Sequence, residues 1–278
     1  MNTLIIVIAT VFGLLVGSFL NVIALRFHIG KGIRGRSQCF SCNHVLGWKD
    51  LIPLFSFVLQ KGRCRYCLSH ISVDNLYAEL CTGVFFGLIA GRAALFGEIP
   101  LTLGYFISTL FLFILFSILI VIFLYDVRHK IIPDVLSLVF GVMSFVSIFL
   151  FDVANHIFTY TGVHMPSWFH IFSGILIPLP FVVLWFISRG RWIGLGDPKL
   201  MVGIGFLLGF ERGVSAVFLS FWLGALFALG LMLMNALFHK TLLRKGKKSI
   251  MKAELPFAPF LIIATLVVLI GDANVLLL

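Results

Sequence analysis

Two kinds of residue in this chain are spaced for chemistry: four cysteines in one polar loop, and two aspartates at the edges of apolar runs. Cys39 and Cys42 in "CFSC", with Cys64 and Cys67 in "CRYC", form a C-x2-C-x21-C-x2-C pattern. Two such knuckles set four thiolates at the corners of a tetrahedron around zinc, and the segment between them then needs little core of its own. A four-thiolate shell is closed, so the expected metal is structural rather than catalytic. Disulfides are the alternative. They need an oxidising compartment, whereas the charge pattern described below puts the loop in the cytoplasm, where thiols stay reduced. His44 and His70 beside the knuckles read as solvated loop residues, because four sulfurs complete the shell. Cys81, inside an apolar run, reads as a small buried apolar residue.

In "LYDVRHKIIPD" (residues 124–134) Asp126 ends a long apolar run, and in "RWIGLGDPKLMVG" (residues 191–203) Asp197 begins one. A carboxylate near the hydrocarbon region is costly enough to be a functional hypothesis with a partner to be found. Asp197 before Pro198 also reads as an N-cap with proline in the first turn, and Asp134 after Pro133 has a first-turn explanation too. Asp126 has none, since it falls at a helix C-terminus, where the macrodipole disfavours negative charge. If Asp126 and Asp197 face each other, they form a dyad of the aspartic-protease type: one ionised member takes a proton from water and the protonated member polarises a carbonyl. The helix ends predict Asp197 as the ionised member and Asp126 as the protonated one. Gly194 and Gly196 would let a substrate backbone approach the acids.

Membrane helices must position these residues. The chain has 278 residues, 60% hydrophobic and only 12% charged, with mean hydropathy +1.11, against about 25% charge in a soluble domain. Apolar runs near the roughly 20 residues needed to cross a bilayer occur at 4–26, 76–96, 101–125, 134–151, 168–188, 213–238 and 257–277, with a shorter eighth at 198–210. The net charge of +10 is explained by topology rather than by nucleic acid. With eight spans, all Lys and Arg except Arg92 and Arg212 fall on one side, which the positive-inside rule makes cytoplasmic. Both aspartates then lie at the cytoplasmic face and the N-terminus outside. The first run lacks preceding basic residues and a cleavage pattern, so it reads as an uncleaved span. Small-xxx-small pairs at Gly13/Gly17, Gly83/Gly87, Gly87/Gly91 and Gly205/Gly209 would let helix backbones approach.

The motifs together resemble the type IV prepilin peptidase family. "GLLVGSFLNVIALR" (residues 13–26) is similar to its N-terminal signature, "DLIPLFSFVLQKGRCRYC" leading to "ISVDNLYAELCTG" to its cysteine loop and next span, and "DVRHKIIPD", "GLGDPKL" and "ELPFAPFL" to its remaining motifs. The resemblance implies a polytopic aspartic peptidase of the bacterial inner membrane. Such enzymes cut the basic leader from type IV prepilins or type II secretion pseudopilins after a glycine, on the cytoplasmic side. It also implies N-methylation of the new N-terminal residue, often Phe, with S-adenosylmethionine as donor. By motif position Asp126 and Asp197 become the catalytic pair and Cys39, Cys42, Cys64 and Cys67 the zinc site of the methylating form. Gly62 falls where the family has a glycine linked to methyl transfer, and Glu79 matches a family acidic position. "CFSC" departs from the family in lacking the proline common after its first cysteine. Arg128 and His129 stand between the acids of "DVRHKIIPD", where anchoring at anionic headgroups or phosphate binding are both open. No Gly-rich nucleotide fingerprint follows a predicted strand, so methyl transfer is implied by the resemblance alone.

Two rival readings stay open at the level of residues. Acids near a membrane also serve proton- or cation-coupled transporters, although both of these sit at one face rather than near the midplane; a scaffold docking a partner through the zinc loop leaves Asp126 unexplained. The expected architecture is therefore all-α, a polytopic bundle of about eight transmembrane helices. Residues 1–28 are its first helix, 29–73 a cytoplasmic zinc-binding loop, and 74–278 the aspartic peptidase bundle. Its partners would be prepilin or pseudopilin precursors and membrane lipids, with no nucleic acid.

Overall fold

The structure, a computed structural model, describes residues 2–29, 35, 37–39, 41–95, 102–152, 159–160, 166–238 and 255–271. Lys31, Arg34, Arg36, the six basic residues between 239 and 254, Glu254 and the end of the last apolar run lie outside the described residues. The chain divides into two compact units, residues 1–125 with 150–163 and residues 126–149 with 164–278. Both are helical; in the first, β1 (Phe151–Asp152) and β2 (Thr159–Tyr160) form a short antiparallel pairing. Among the described residues, five helical segments are long and apolar enough to cross a membrane: 2–27, 75–94, 103–129, 168–188 and 210–234.

The first unit rests on α1 (Asn2–Ile29) packed against α3 (Asp74–Gly91), with α4 (Leu103–His129) contributing its residues up to Tyr125. The glycine spacing read from the sequence explains how closely the first two helices approach. A Cβ on Gly13 would stand 2.7 Å from the Thr82 carbonyl oxygen, and one on Gly17 would stand 2.8 Å from that of Ala78, so any larger residue would drive the backbones apart. Phe86 of α3 stacks on Phe113 of α4 with ring centroids 4.0 Å apart. At the end of α3, Arg92 is fully buried. It donates to the Ile89 carbonyl, to Ser108 Oγ (2.7 Å) and to Thr109 Oγ1 (2.9 Å), and lies 4.3 Å from the Tyr105 ring centre. These contacts make burial of the charge tolerable.

In the second unit α8 (Gly196–Leu208) is the core: Leu200, Met201, Ile204 and Leu207 are wholly buried. Its 13 residues rise only about 20 Å, short of a roughly 30 Å hydrocarbon core, which is why the eighth apolar run is not among the helices long enough to cross. Around it stand α5 (Asp134–Leu150), α6 (Trp168–Leu176), α7 (Leu179–Ser188), α9 (Phe210–Phe238) and α10 (Ala258–Gly271). A Cβ on Gly205 would lie 2.7 Å from the Ser173 carbonyl oxygen, so α6 and α8 meet backbone to backbone, and Ser173 Oγ donates to the Gly205 carbonyl at 2.7 Å. The run at 168–188, expected as one helix, is broken between α6 and α7 at Ile177–Pro178. Pro178 and Pro180 there carry no N–H for an uninterrupted ladder.

Candidate active site and metal centre

The cysteine loop is built from two copies of one turn. In the first, the Cys39 N–H donates to the His44 carbonyl and the Asn43 N–H to the Cys39 carbonyl; in the second, Cys64 donates to Ser69 and Leu68 to Cys64. Asn43 and Leu68 occupy the same place in each turn with φ of 55° and 58°. The flanking bridges, Gln38 with Val45 and Arg63 with His70, repeat the correspondence. The turns bring all four sulfurs within 4.8 Å of one another, and Cys39 Sγ lies 3.8 Å from Cys67 Sγ. Tetrahedral zinc–thiolate bonds of about 2.3 Å require sulfurs about 3.8 Å apart, so the donor set fits such an ion. All five cysteines are free thiols. Backbone N–H groups of Cys42 and Ser41 draw the Cys39 thiol down to about 6. The His44 N–H also draws on Cys42, yet desolvation and its sulfur neighbours leave that thiol pushed up to about 11. Opposite shifts mark sulfurs close enough to compete for negative charge, a competition that a divalent cation removes.

A single acid that the sequence did not flag organises the loop. Asp50 accepts from Gly47 N–H (3.1 Å), Gln60 Nε2 (3.2 Å) and Tyr66 Oη (3.2 Å), and pairs with Arg65 Nε at 3.4 Å. His44 is no part of the sulfur cluster; its ring lies 3.7 Å from that of Tyr66. Gly62, the glycine implied in methyl transfer, closes α2 (Phe55–Leu59): its φ is 68°, its N–H donates to the Phe57 carbonyl, and a Cβ would press on Phe57 Cζ at 3.2 Å. Glu79 has a structural part as well. It is buried on α3 and accepts the Leu54 N–H at 2.8 Å. Leu54 sits at φ 60°, ψ −49° in a three-residue turn closed by the Phe55 N–H on the Pro53 carbonyl. That hand of γ-turn is rare and strained, so the carboxylate anchors a backbone that would otherwise relax. Near it, the Asn21 side chain of α1 donates to Asn75 of α3.

Asp126 and Asp197 line one cavity of about 410 Å³ in the second unit, with Lys130, Ile132, Asp134, Gly194 and the Leu255–Phe257 segment. Asp126 comes from the last turn of α4 and is 5% exposed. The backbone N–H of Ala258, at the start of α10, hydrogen-bonds its carboxyl. Its Oδ2 is buried and has no hydrogen-bond partner among the described residues, an arrangement unusual enough in a folded protein to point to chemistry. Asp197 is not the N-cap of α8. Leu195 holds that position, without a side-chain cap, and Asp197 follows in the first turn. It precedes the apolar part of that helix, and its carboxyl is pushed up to about 7 by desolvation and then by the Asp126 charge. Burial and the like charge of Asp126 thus outweigh the helix N-terminus at Asp197, so this carboxyl binds a proton more tightly than an ordinary one.

The two glycines expected near the acids differ. Both line the cavity, but a Cβ on Gly196 would meet Ile132 at 3.2 Å, whereas nothing lies within 4 Å of the Cβ position of Gly194. Asp134, in the first turn of α5, pairs with Lys199 Nζ at 2.7 Å and so ties α5 to α8 beside Asp197. Leu255, Pro256 and Phe257 were visible only as part of a quoted motif. Their place in the cavity depends on a tertiary approach that spacing does not reveal.

Residues 11–93, which include the four cysteines, match the Bacterial Peptidase A24 N-terminal domain, and residues 113–229, which include both aspartates, match the Type IV leader peptidase family. A prepilin leader peptidase/N-methyltransferase from Bacillus subtilis (strain 168) is 30% identical over 251 residues, covering 90% of this chain and 87% of the relative. A protein of the same description from Pseudomonas putida is 27% identical over 96% of this chain and 91% of its own. One from Myxococcus xanthus (strain DK1622) is 48% identical over 27% of this chain and 23% of its own. No solved structure matches. With a relative aligned over nearly its whole length, and with the cysteine and aspartate regions each inside a matched domain, the chain belongs to the type IV leader peptidase family.

Proposed function

We propose that the chain is an aspartic endopeptidase of the bacterial inner membrane that removes basic leaders from type IV prepilins or type II secretion pseudopilins, cutting after a glycine at the cytoplasmic face, and that it methylates the new N-terminus from S-adenosylmethionine. The observation that carries the peptidase reading is the shared cavity, in which Asp126 presents a buried oxygen with no hydrogen-bond partner among the described residues and Asp197 binds a proton near neutrality. In the hydrolytic step a water donates one proton to Asp126 as its oxygen bonds to the scissile carbonyl carbon, and Asp197 gives its proton to the carbonyl oxygen. Collapse of the tetrahedral intermediate breaks the C–N bond. Asp126 gives its proton to the departing amine while a hydroxyl of the intermediate returns one to Asp197 as the carboxyl product forms, so the pair again holds a single proton. Gly194 leaves room for the substrate backbone. A zinc ion held by Cys39, Cys42, Cys64 and Cys67 would cross-link the loop and supply no open position for the reaction.

Methylation is supported by the names of the relatives; the turn geometry of Gly62 accounts for a glycine there without a methyl donor. The transporter reading gains no support from the cavity, and hydrolysis gives both acids a role. The test is to incubate the purified full chain in detergent with a pilin-like precursor and labelled S-adenosylmethionine. Loss of the leader's mass, with label on the cleaved product, is expected. An intact precursor overturns the peptidase reading, and a cleaved but unlabelled product overturns the methylation.

A further inference from the structure

A second cavity, of about 290 Å³, shares Leu255, Pro256 and Phe257 with the aspartate cavity and is otherwise formed by Phe221, Gly224 and Ala225 of α9 and by Phe260 of α10. Its walls are apolar, with the Phe221 and Phe257 rings 4.9 Å apart. A Cβ on Gly224 would lie 3.6 Å from Phe260, so the glycine leaves room that a large side chain would occupy. Phe221 is 47% exposed and its neighbour Trp222 67% exposed, so the cavity can be reached from the apolar outer face of α9. We infer that this cavity is a substrate subsite: it takes one large apolar side chain from the first few residues on the helical side of the scissile bond.

The inference rests on the peptidase reading and follows from continuity. A chain in extended form advances about 3.8 Å per Cα and turns successive side chains to opposite sides. With its scissile carbonyl at the acids, a chain running along Leu255–Phe257, the residues common to both cavities, next meets the apolar lining of the second. Among the described residues that lining carries no acid for a basic leader, whereas an apolar helix segment matches it. Such a pocket discriminates by size, about ten-fold or more for missing methylenes.

The test uses the full-length protein in proteoliposomes and a precursor with a basic leader and an apolar helix, in which each of the first four residues after the cut is made large (Leu or Phe) or Ala in turn. The ratio of kcat/KM, large over Ala, is measured for the wild type and for Gly224→Trp, whose indole would fill the cavity. Because both substrates meet the same preparation, partial misfolding cancels from the ratio; Gly224→Val serves if the Trp variant does not accumulate. At one position the wild-type ratio is expected to be about ten or more and to fall below two in Gly224→Trp. Ratios near one at all four positions, or a ratio that Gly224→Trp leaves unchanged, overturn the subsite; the second outcome would mean that a lipid acyl chain occupies the cavity. Failure of the wild type to cleave any precursor is a separate result, which removes the peptidase reading itself.

Discussion

The cysteine loop takes its four sulfurs from residues 39 to 67, and the aspartate cavity takes its two acids from residues 126 and 197. In the loop, each knuckle satisfies its own backbone, Asp50 ties together groups from Gly47 to Tyr66, and the sulfurs face one another. A metal there would complete a shell and leave nothing to bind substrate. In the cavity, the acids come from two helix ends facing in opposite senses, one carboxylate oxygen has no partner among the described residues, and the other acid titrates near neutrality. A site that satisfies itself is built for stability; a site left incomplete is built to act on something that arrives.

The strongest way to break this contrast is charge removal. Asp126→Asn or Asp197→Asn should each lower precursor cleavage by about 10³-fold or more while leaving the metal content of the purified protein unchanged; full activity in either variant would remove that acid from the chemistry. The converse is Cys64→Ser. It should abolish stoichiometric metal, read by elemental analysis, and make the 37–72 loop sensitive to protease, with cleavage falling less than about ten-fold because a closed thiolate site takes no part in hydrolysis. A smaller effect distinguishes the two acids by pH. Since the raised affinity of Asp197 keeps its proton below about 7 and releases it above, kcat/KM for cleavage should fall as pH rises through about 7; a profile flat from pH 6 to 9 would contradict a protonated Asp197. At the anchor of the loop, Glu79→Ala should cost about 1–3 kcal/mol by leaving the Leu54 N–H unmet. That cost should appear as faster amide exchange over residues 54–62, largely restored in Glu79→Gln. Lys199→Met should change thermal stability least, by about 0–1 kcal/mol, because its pair with Asp134 is exposed to solvent.

How much of this was legible in the sequence depended on how local the cause was. Cysteine spacing sufficed for the sulfur cluster, because each knuckle is closed by its own six or so residues. The glycine pairs of α1 and α3 announced a close helix approach because four-residue spacing is itself the geometry of one helix face. Apolar runs located the helices, but length alone hid two facts: Pro178 and Pro180 break one run in two, and the shortest run forms the buried core of its unit. The helix terminus at Asp197 can be read from sequence, whereas the burial and the nearness of Asp126 that push its carboxyl up to about 7 are tertiary. Asp50 was missed for the same reason, as one acid in a basic loop with partners on both sides of it in the chain. The walls of the second cavity come from α9 and from the entry to α10, which no motif links.

The most direct measurement on the pair is a double-mutant cycle for single-turnover precursor cleavage with Asp126→Asn, Asp197→Asn and the double variant. Two acids sharing one proton act as a unit, so the double variant should lose no more than either single one, and the coupling energy should nearly equal a single loss. Losses that multiply across the cycle, as for two independent sites, would contradict a shared-proton dyad in this cavity.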